Sequence, residues 1–388
     1  MEQFLSYFTL DVIGIALLST LLIMLFIQIY FYLAYYKKPL SYLKQIADTH
    51  EEITPLPSVS VIIVAKDESE NLAKCLPSIL NQDYPDYEVI VVNDGSTDES
   101  EFLLKNLKRE YPFLYSTFSP YSDVNETIQN KVLPLTIGIK AARKDILLFT
   151  EADSLPMTNQ WIKSMVHSLA DKDIVVGYSR FTEGEDFSNK TALFDNLIFT
   201  LQYMSMAIKD KPFAGLYKNL AYRKHLFFDN KGFSATLNYD NAEEVFVNYI
   251  MTDNNTAIAL SQDSYVSTEL DNFSHWRKIK TAYSRAKFNF KGFTGGIFSL
   301  ETLSRYLFYI LTIASIVYSI VSQLWVYLGA AILLFIIRYI IQIVILNKAS
   351  DHFLTNRFHL SLPFLDLIQP YYNSYFSRIS KSKKRRKK

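Results

Sequence analysis

The chain has 388 residues, 49% hydrophobic and 15% aromatic, with a formal net charge of +1. That near-balance of charge excludes the strongly basic face on which nucleic-acid binding rests. One cysteine, Cys75, excludes an intramolecular disulfide, and no Cys/His cluster has zinc spacing; in its apolar setting Cys75 reads as core rather than nucleophile.

From Leu10 to Tyr36 the residues are overwhelmingly apolar, and Lys37 and Lys38 follow. About 20 apolar residues cross a bilayer, and this run is longer. A cleaved leader has its positive charge ahead of the apolar run and a small-residue cleavage site behind it. Here the basic pair comes behind and no A-x-A pattern is present. Residues 1–40 therefore predict an uncleaved transmembrane helix.

Between residues 57 and 296 the composition becomes that of a globular domain. Short β-branched runs recur at VSVIIVA (59–65), EVIVVND (88–94), DILLFTEAD (145–153) and DIVVGYSR (173–180). Helical segments separate them, at 69–82, 98–110 and 130–143. Strands apolar on both faces that alternate with helices predict an α/β domain with a parallel sheet. Such sheets bind ligands outside the carboxyl ends of their strands.

The first strand tip carries Lys66, Asp67 and Glu68. The second carries Asp94, with Gly95 for the turn and Ser96, Thr97 or Asp98 as cap of the next helix. The third, TEAD, ends with Glu151 and Asp153. A carboxylate at a strand tip costs desolvation unless it has a partner, and three acidic tips converge on one edge. Carboxylates at i and i+2 of an extended segment point to the same side, so Glu151 and Asp153 can approach one ion together. TEADSLP also reads as a capped turn into a helix near Thr158, which accounts for Ser154 and Pro156 but not for both acids.

The ordered set VSVIIVAKDESENL, EVIVVNDGSTDES, Lys131 before a helix, and LLFTEADSLP resembles the family 2 glycosyltransferases of GT-A fold, and the likeness continues through GLYKNLAYRK (215–224) and from Tyr239 to Arg285. The resemblance implies a Rossmann-like domain that binds a nucleotide-sugar donor, with a UDP-sugar expected. It places Asp67 or Glu68, together with Asp94, near base and ribose and Lys131 at the diphosphate. It also implies a divalent cation, Mn²⁺ or Mg²⁺, with Asp153 as direct ligand and Glu151 as ligand or ribose contact. A hard cation with oxygen ligands would neutralise the leaving diphosphate. Gly215 and Asn219 are expected to shape the acceptor side, or else to belong to a strand and turn packed beneath it.

An inverting transfer needs a general base. In NYDNAEEVFVNYI the expected base is Glu243, with Glu244 and Asp240 as alternates. Ala242 stands where similar sequences carry an acid, and Glu243-Glu244 also suit the first turn of a helix. In SHWRKIKTAYSRAKFNF only Arg285 remains of an expected Gln-x-x-Arg pattern; Ala282 and Ala286 hold the neighbouring places. Arg285 reads as a diphosphate or acceptor contact, or as part of an amphipathic interfacial helix with Trp276 and Lys280.

Two further apolar stretches, Tyr306 to Val321 and Trp325 to Leu346, flank a turn at Ser322-Gln323, and the chain closes with KSKKRRKK. Residues 301–348 predict two transmembrane helices and 349–388 a basic tail that meets anionic lipid or solvent. Basic residues favour the cytoplasmic side, which puts the catalytic domain in the cytoplasm at the inner membrane. The spans are expected to hold no intramembrane charge pair, which argues against a transporter. The expectation is an inverting transfer to a lipid-linked or membrane-proximal glycan acceptor in envelope synthesis. The alternative is a degenerate relative that serves as an assembly partner.

Overall fold

A run such as VSVIIVA, apolar on both faces, is satisfied only inside a sheet covered on both sides. In the computed structural model, which describes residues 11–46, 55–120, 131–184, 186–239, 241–270, 272–291 and 294–386, this run becomes the strand β1. Its residues are buried except for the half-buried Val64.

In chain order the elements are α1 (Val12–Phe31), α2 (Lys38–Ile46), β1 (Val59–Ala65), α3 (Ser69–Leu80), β2 (Tyr87–Asn93), α4 (Ser100–Glu110), β3 (Leu114–Phe118), α5 (Val132–Ala141), β4 (Ile146–Glu151) and β5 (Ser154–Pro156). There follow α6 (Trp161–Leu169), β6 (Ile174–Val176), β7 (Ser179–Phe181), α7 (Phe187–Ile208), β8 (Asn219–Arg223), α8 (His225–Asp229), α9 (Ala242–Ile250), β9 (Thr256–Ile258) and β10 (Val266–Thr268). The last helices are α10 (Phe273–Lys287), α11 (Thr294–Val321), α12 (Trp325–His352) and α13 (Leu362–Arg386).

The main sheet has the order β3-β2-β1-β4-β8-β6-β9, and a small sheet has the order β5-β10-β7. β1, β2, β3 and β4 run parallel, with Val64 beside Glu151 and Ala65 beside Asn93. The three acidic tips thus share one edge. β8 enters antiparallel between β4 and β6, with Asn219 paired to Thr150. This strand enters the sequence analysis only as the alternative reading of GLYKNLAYRK, because NLAYR is short and lies outside the strand–helix alternation.

Among the described residues three helices are long and apolar enough to cross a membrane: Val12–Gln45, Gly296–Val321 and Trp325–His352. They expose large apolar side chains such as Phe26, Ile313 and Leu333. The turn expected at Ser322-Gln323 is present. Gln323 takes a left-handed φ of 56°, and the Leu324 N–H closes onto Ser319 O at 2.8 Å.

The expectation of spans without a charge pair is corrected. Arg305 on α11 donates from Nη2 to Glu301 Oε1 at 2.7 Å and lies 3.2 Å from Asp366 Oδ1. Arg338, midway along α12, reaches Asp366 Oδ2 at 2.7 Å and Gln28 Oε1 of α1 at 2.9 Å. Charges in so apolar a place persist only when paired. The pairing was hidden because Asp366 comes from the segment expected to be a tail. That segment forms α13, which buries Leu362, Leu365 and Phe376.

The same helix ties the spans to the domain. Lys280 of α10 donates to Asp195 of α7 at 2.7 and 2.6 Å. Gln369 of α13 donates to Asp195 at 3.1 Å and accepts from Arg305 at 3.4 Å. One apolar core runs from Phe31 and Tyr36 through Phe149 and Phe246 to Leu346 and Leu365.

Candidate active site

At the end of β4 the chain leaves the sheet after Glu151 and turns through Ala152 to Asp153. Lys218 directly precedes β8, so the pairing of Asn219 with Thr150 brings it across from Glu151. Its side chain is 8% exposed. Its Nζ donates to Asp153 Oδ1 at 2.8 Å and Oδ2 at 2.9 Å, and lies 2.9 Å from Glu151 Oε2 and 3.1 Å from Thr268 Oγ1. Lys131, at the start of α5, pairs with Glu151 Oε1. Burial works against the charge on Glu151, but the Lys131 and Lys218 ammoniums outweigh it and hold the carboxyl far below the usual range. Burial likewise opposes the charge on Lys218, and Glu151 and Asp153 reverse that, raising its pKa.

Around this centre Asn71, Cys75, Asp153, Thr182, Glu269 and His275 line a cleft. His275 Nε2 is 3.8 Å from Asp153 Oδ2. Glu68 is half-buried and accepts from Asn71 Nδ2 at 2.5 Å. Burial, with Asp153 and Glu151 adding to it, pushes its pKa up. Asp94 is half-buried, and its carboxylate has no hydrogen bond among the described residues. Asp67 is exposed and left-handed, with φ 53°, and its Oδ1 accepts from Thr97 N at 2.7 Å. It therefore joins the first two tip loops.

Glu243 and Glu244 open α9, as first-turn acids do. Glu243 is 4% exposed, and its Oε2 has no hydrogen-bond partner among the described residues. Burial raises its pKa, against the pull of Lys131. Burial raises Glu244 well above the usual range, with Glu243 and Glu151 adding to the shift. Both acids are thus electrostatically in touch with Lys131 and Glu151. Asp240 lies outside the described residues. Arg285 is half-buried near the end of α10, and its Nε has no hydrogen bond among the described residues. Trp276 of the same helix is buried edge-on against Tyr372 and Phe376 of α13.

Two expectations need correction. Asn219 does not face an acceptor: Trp161 Nε1 donates to its Oδ1 at 3.1 Å, and its Nδ2 donates to Tyr178 O and Ser264 O, each at 2.8 Å. Gly215 is buried, and a Cβ there would meet Val176 Cγ1 at 2.7 Å. Both hold β8 beneath the site, which is the alternative expected for them, a strand and turn packed there. The second correction concerns the metal. Glu151 and Asp153 do converge on one cation, but that cation is the Lys218 ammonium, and Lys131 takes the remaining Glu151 oxygen. Among the described residues no group of three or more His, Cys, Asp or Glu side chains is arranged to hold a metal ion. The donor set does not fit a divalent ion as it stands.

Residues 60–228 match the family model described as Glycosyl transferase family 2. The middle domain belongs to this family. Among curated proteins the chain is similar to Glycosyltransferase AglE of Haloferax volcanii, 33% identical over 131 residues, which is 33% of this chain and 41% of that protein. It is also similar to the poly-beta-1,6-N-acetyl-D-glucosamine synthase of Staphylococcus epidermidis, 26% identical over 119 residues, or 31% of this chain and 26% of that one. The match thus spans less than half the length of these relatives. Among solved structures it is similar to the mannosyltransferase PcManGT from Pyrobaculum calidifontis in complex with GDP-Man and Mn²⁺, with a TM-score of 0.49 at 17% identity, covering 80% of this chain and 98% of that one.

In this family 2 domain the sequence reading overlooked Lys218 and His275. Lys218 stood in a quoted stretch, GLYKNLAYRK, but only the antiparallel entry of β8 turns it toward TEAD. His275 lies more than a hundred residues beyond Asp153, and no spacing links the two.

Proposed function

We propose that the chain is a membrane-bound inverting glycosyltransferase, which takes a sugar from a nucleoside diphosphate sugar, expected to be a UDP-sugar, and passes it to a lipid-linked or membrane-proximal acceptor. The observation that carries this reading is the meeting of Lys131, Glu151, Asp153 and the sheltered Glu243 at one edge of a family 2 domain. Lys131 is a third exposed and offers a point charge to phosphate oxygens. Glu68 and Asp94, on loops braced by Asp67, face the nucleoside. Arg285 supplies a further positive charge from α10.

Glu243 acts as the base. Its Oε2, without a hydrogen-bond partner among the described residues, can accept one, and a raised pKa brings the carboxylate nearer the operating pH. The acceptor oxygen bonds to the anomeric carbon, and its proton passes to Glu243. The bond from the anomeric carbon to the β-phosphate oxygen breaks, and its electron pair leaves with the nucleoside diphosphate. Attack opposite the leaving group inverts the anomeric centre. No step runs through a divalent ion, because lysines already balance the two carboxylates that would hold one.

The three apolar helices among the described residues suit the inner membrane, and Lys37 and Lys38 favour the cytoplasmic side for the domain. Membrane lipids then surround the spans, and the acceptor arrives along the bilayer. The test is calorimetric titration of the detergent-purified chain with UDP and with GDP. Binding of one of them, weakened about tenfold or more in Lys131→Ala, supports the reading. A folded chain that binds neither overturns it.

A further inference from the structure

We propose that Lys218 is the resident cation of this site: its ammonium holds the place between Glu151 and Asp153 that a divalent ion would take, so that the donor binds without added metal. This rests on the reading of the domain as a nucleotide-sugar transferase.

The coordination supports it. One nitrogen faces four oxygens of three residues: both of Asp153, Glu151 Oε2, and Thr268 Oγ1 of β10. The distances, 2.8 to 3.1 Å, suit N–H donors. A bound Mg²⁺ would need oxygens drawn in to about 2.0–2.1 Å. The cage is spaced for an ammonium.

The lysine is also built in rather than draped over the site. Asn219, the next residue, is fixed by the β4 pairing and by its three side-chain hydrogen bonds. Gly177 lies so close to it that a Cβ there would sit 2.4 Å from Asn219 Nδ2. A lysine anchored in this way, and only 8% exposed, cannot swing out without leaving the sheltered Asp153 carboxylate without its ammonium partner. Such a loss is costly. The charges close: Lys131 and Lys218 stand against Glu151 and Asp153. An arriving diphosphate meets a neutral pair instead of two acids. Lys218 acts through the carboxylates and is a positioning residue, while Lys131 stays at the opening.

The test uses the full chain in detergent, with Mn²⁺ followed by its electron paramagnetic resonance signal and UDP binding followed by calorimetry. Wild type should leave the free-Mn²⁺ signal unchanged, and its affinity for UDP should shift less than about twofold between EDTA and Mn²⁺. Lys218→Ala should take up one Mn²⁺ per chain. It should bind UDP about tenfold more weakly in EDTA and regain affinity with Mn²⁺, a dependence that a merely structural lysine would not create. Stoichiometric Mn²⁺ uptake by wild type, UDP binding that requires it, or no Mn²⁺ uptake by the variant overturns the proposal. If Lys218→Ala does not fold, the wild-type measurements decide alone. If wild type ignores UDP under every condition, the UDP-donor reading falls, and the Mn²⁺ titrations still decide the role of Lys218.

Discussion

Arg338 and Asp366 meet at 2.7 Å, Nη2 to Oδ2, from two different helices, with side chains 2% and 1% exposed. Asp366 serves Arg305 as well, at 3.2 Å, so one carboxylate balances two guanidiniums, with Glu301 as the second acid. Removing it leaves charge stranded between apolar helices. Asp366→Ala should cost about 3–5 kcal/mol, read as earlier unfolding in detergent. Asp366→Asn, which keeps hydrogen-bonding groups, should cost less. Equal stability of Asp366→Ala and wild type would contradict the described cluster.

Glu243 should separate activity from stability. Folding raises its pKa above the ordinary 4.5, so the folded chain holds that proton more tightly than the unfolded chain does. Its stabilising contribution is complete below pH 4.5 and is lost as pH rises through the folded value. Above that folded value the ionised, buried carboxylate weakens the fold. Glu243→Gln should raise the melting temperature at pH 7 to 8 while lowering turnover by about 10²–10⁴. UDP binding should change little. The acid limb of the wild-type pH–rate profile should lie above pH 4.5.

Asn219 should behave as a structural residue. Asn219→Ala deserts the Trp161 N–H and the carbonyls of Tyr178 and Ser264, all buried. A loss of about 1–3 kcal/mol is expected for each group left unsatisfied. Where the variant remains folded, as checked by its circular dichroism, acceptor KM should move far less than melting temperature. A selective rise in acceptor KM would restore the acceptor-contact role.

Cys75 should be quiet. Burial in α3, with the Asp153 charge adding to it, pushes the thiol pKa up to about 11 from 9.0. Alkylation by iodoacetamide at pH 8 should be slower than in the denatured chain by on the order of a hundredfold. Rapid labelling of the native protein would show that α3 opens.

Legibility divided along a physical line. β1 spans the quoted VSVIIVA without a residue's difference, and Ser69–Leu80 and Ser100–Glu110 form close to where they were expected. In each case a local apolar period decides the element. Asp98 serves both helix starts, one of them across 29 residues: it accepts from Ser69 N at 2.8 Å and Ser100 N at 3.0 Å, and these bonds outweigh burial to bring its pKa down to about 2. The acids of TEAD were legible for a similar reason, because unpaired carboxylates at a buried strand end call for a partner. The partner was not legible. Lys218 reaches Asp153 only through a strand that reverses direction, and Asp366 reaches Arg338 only through a helix folded back on the spans. Both contacts depend on topology, which no window of sequence contains.

The core that runs unbroken from Tyr36 to Leu365 has a practical consequence for anyone handling this protein. A soluble fragment cut at the ends of the globular region would lose the walls formed by α1, α12 and α13. It would show water the apolar faces that Phe31, Leu346 and Leu365 now close. Such a fragment is a poor starting point for crystallisation or assay. The smallest unit worth purifying carries its long apolar helices with it, in detergent or nanodiscs.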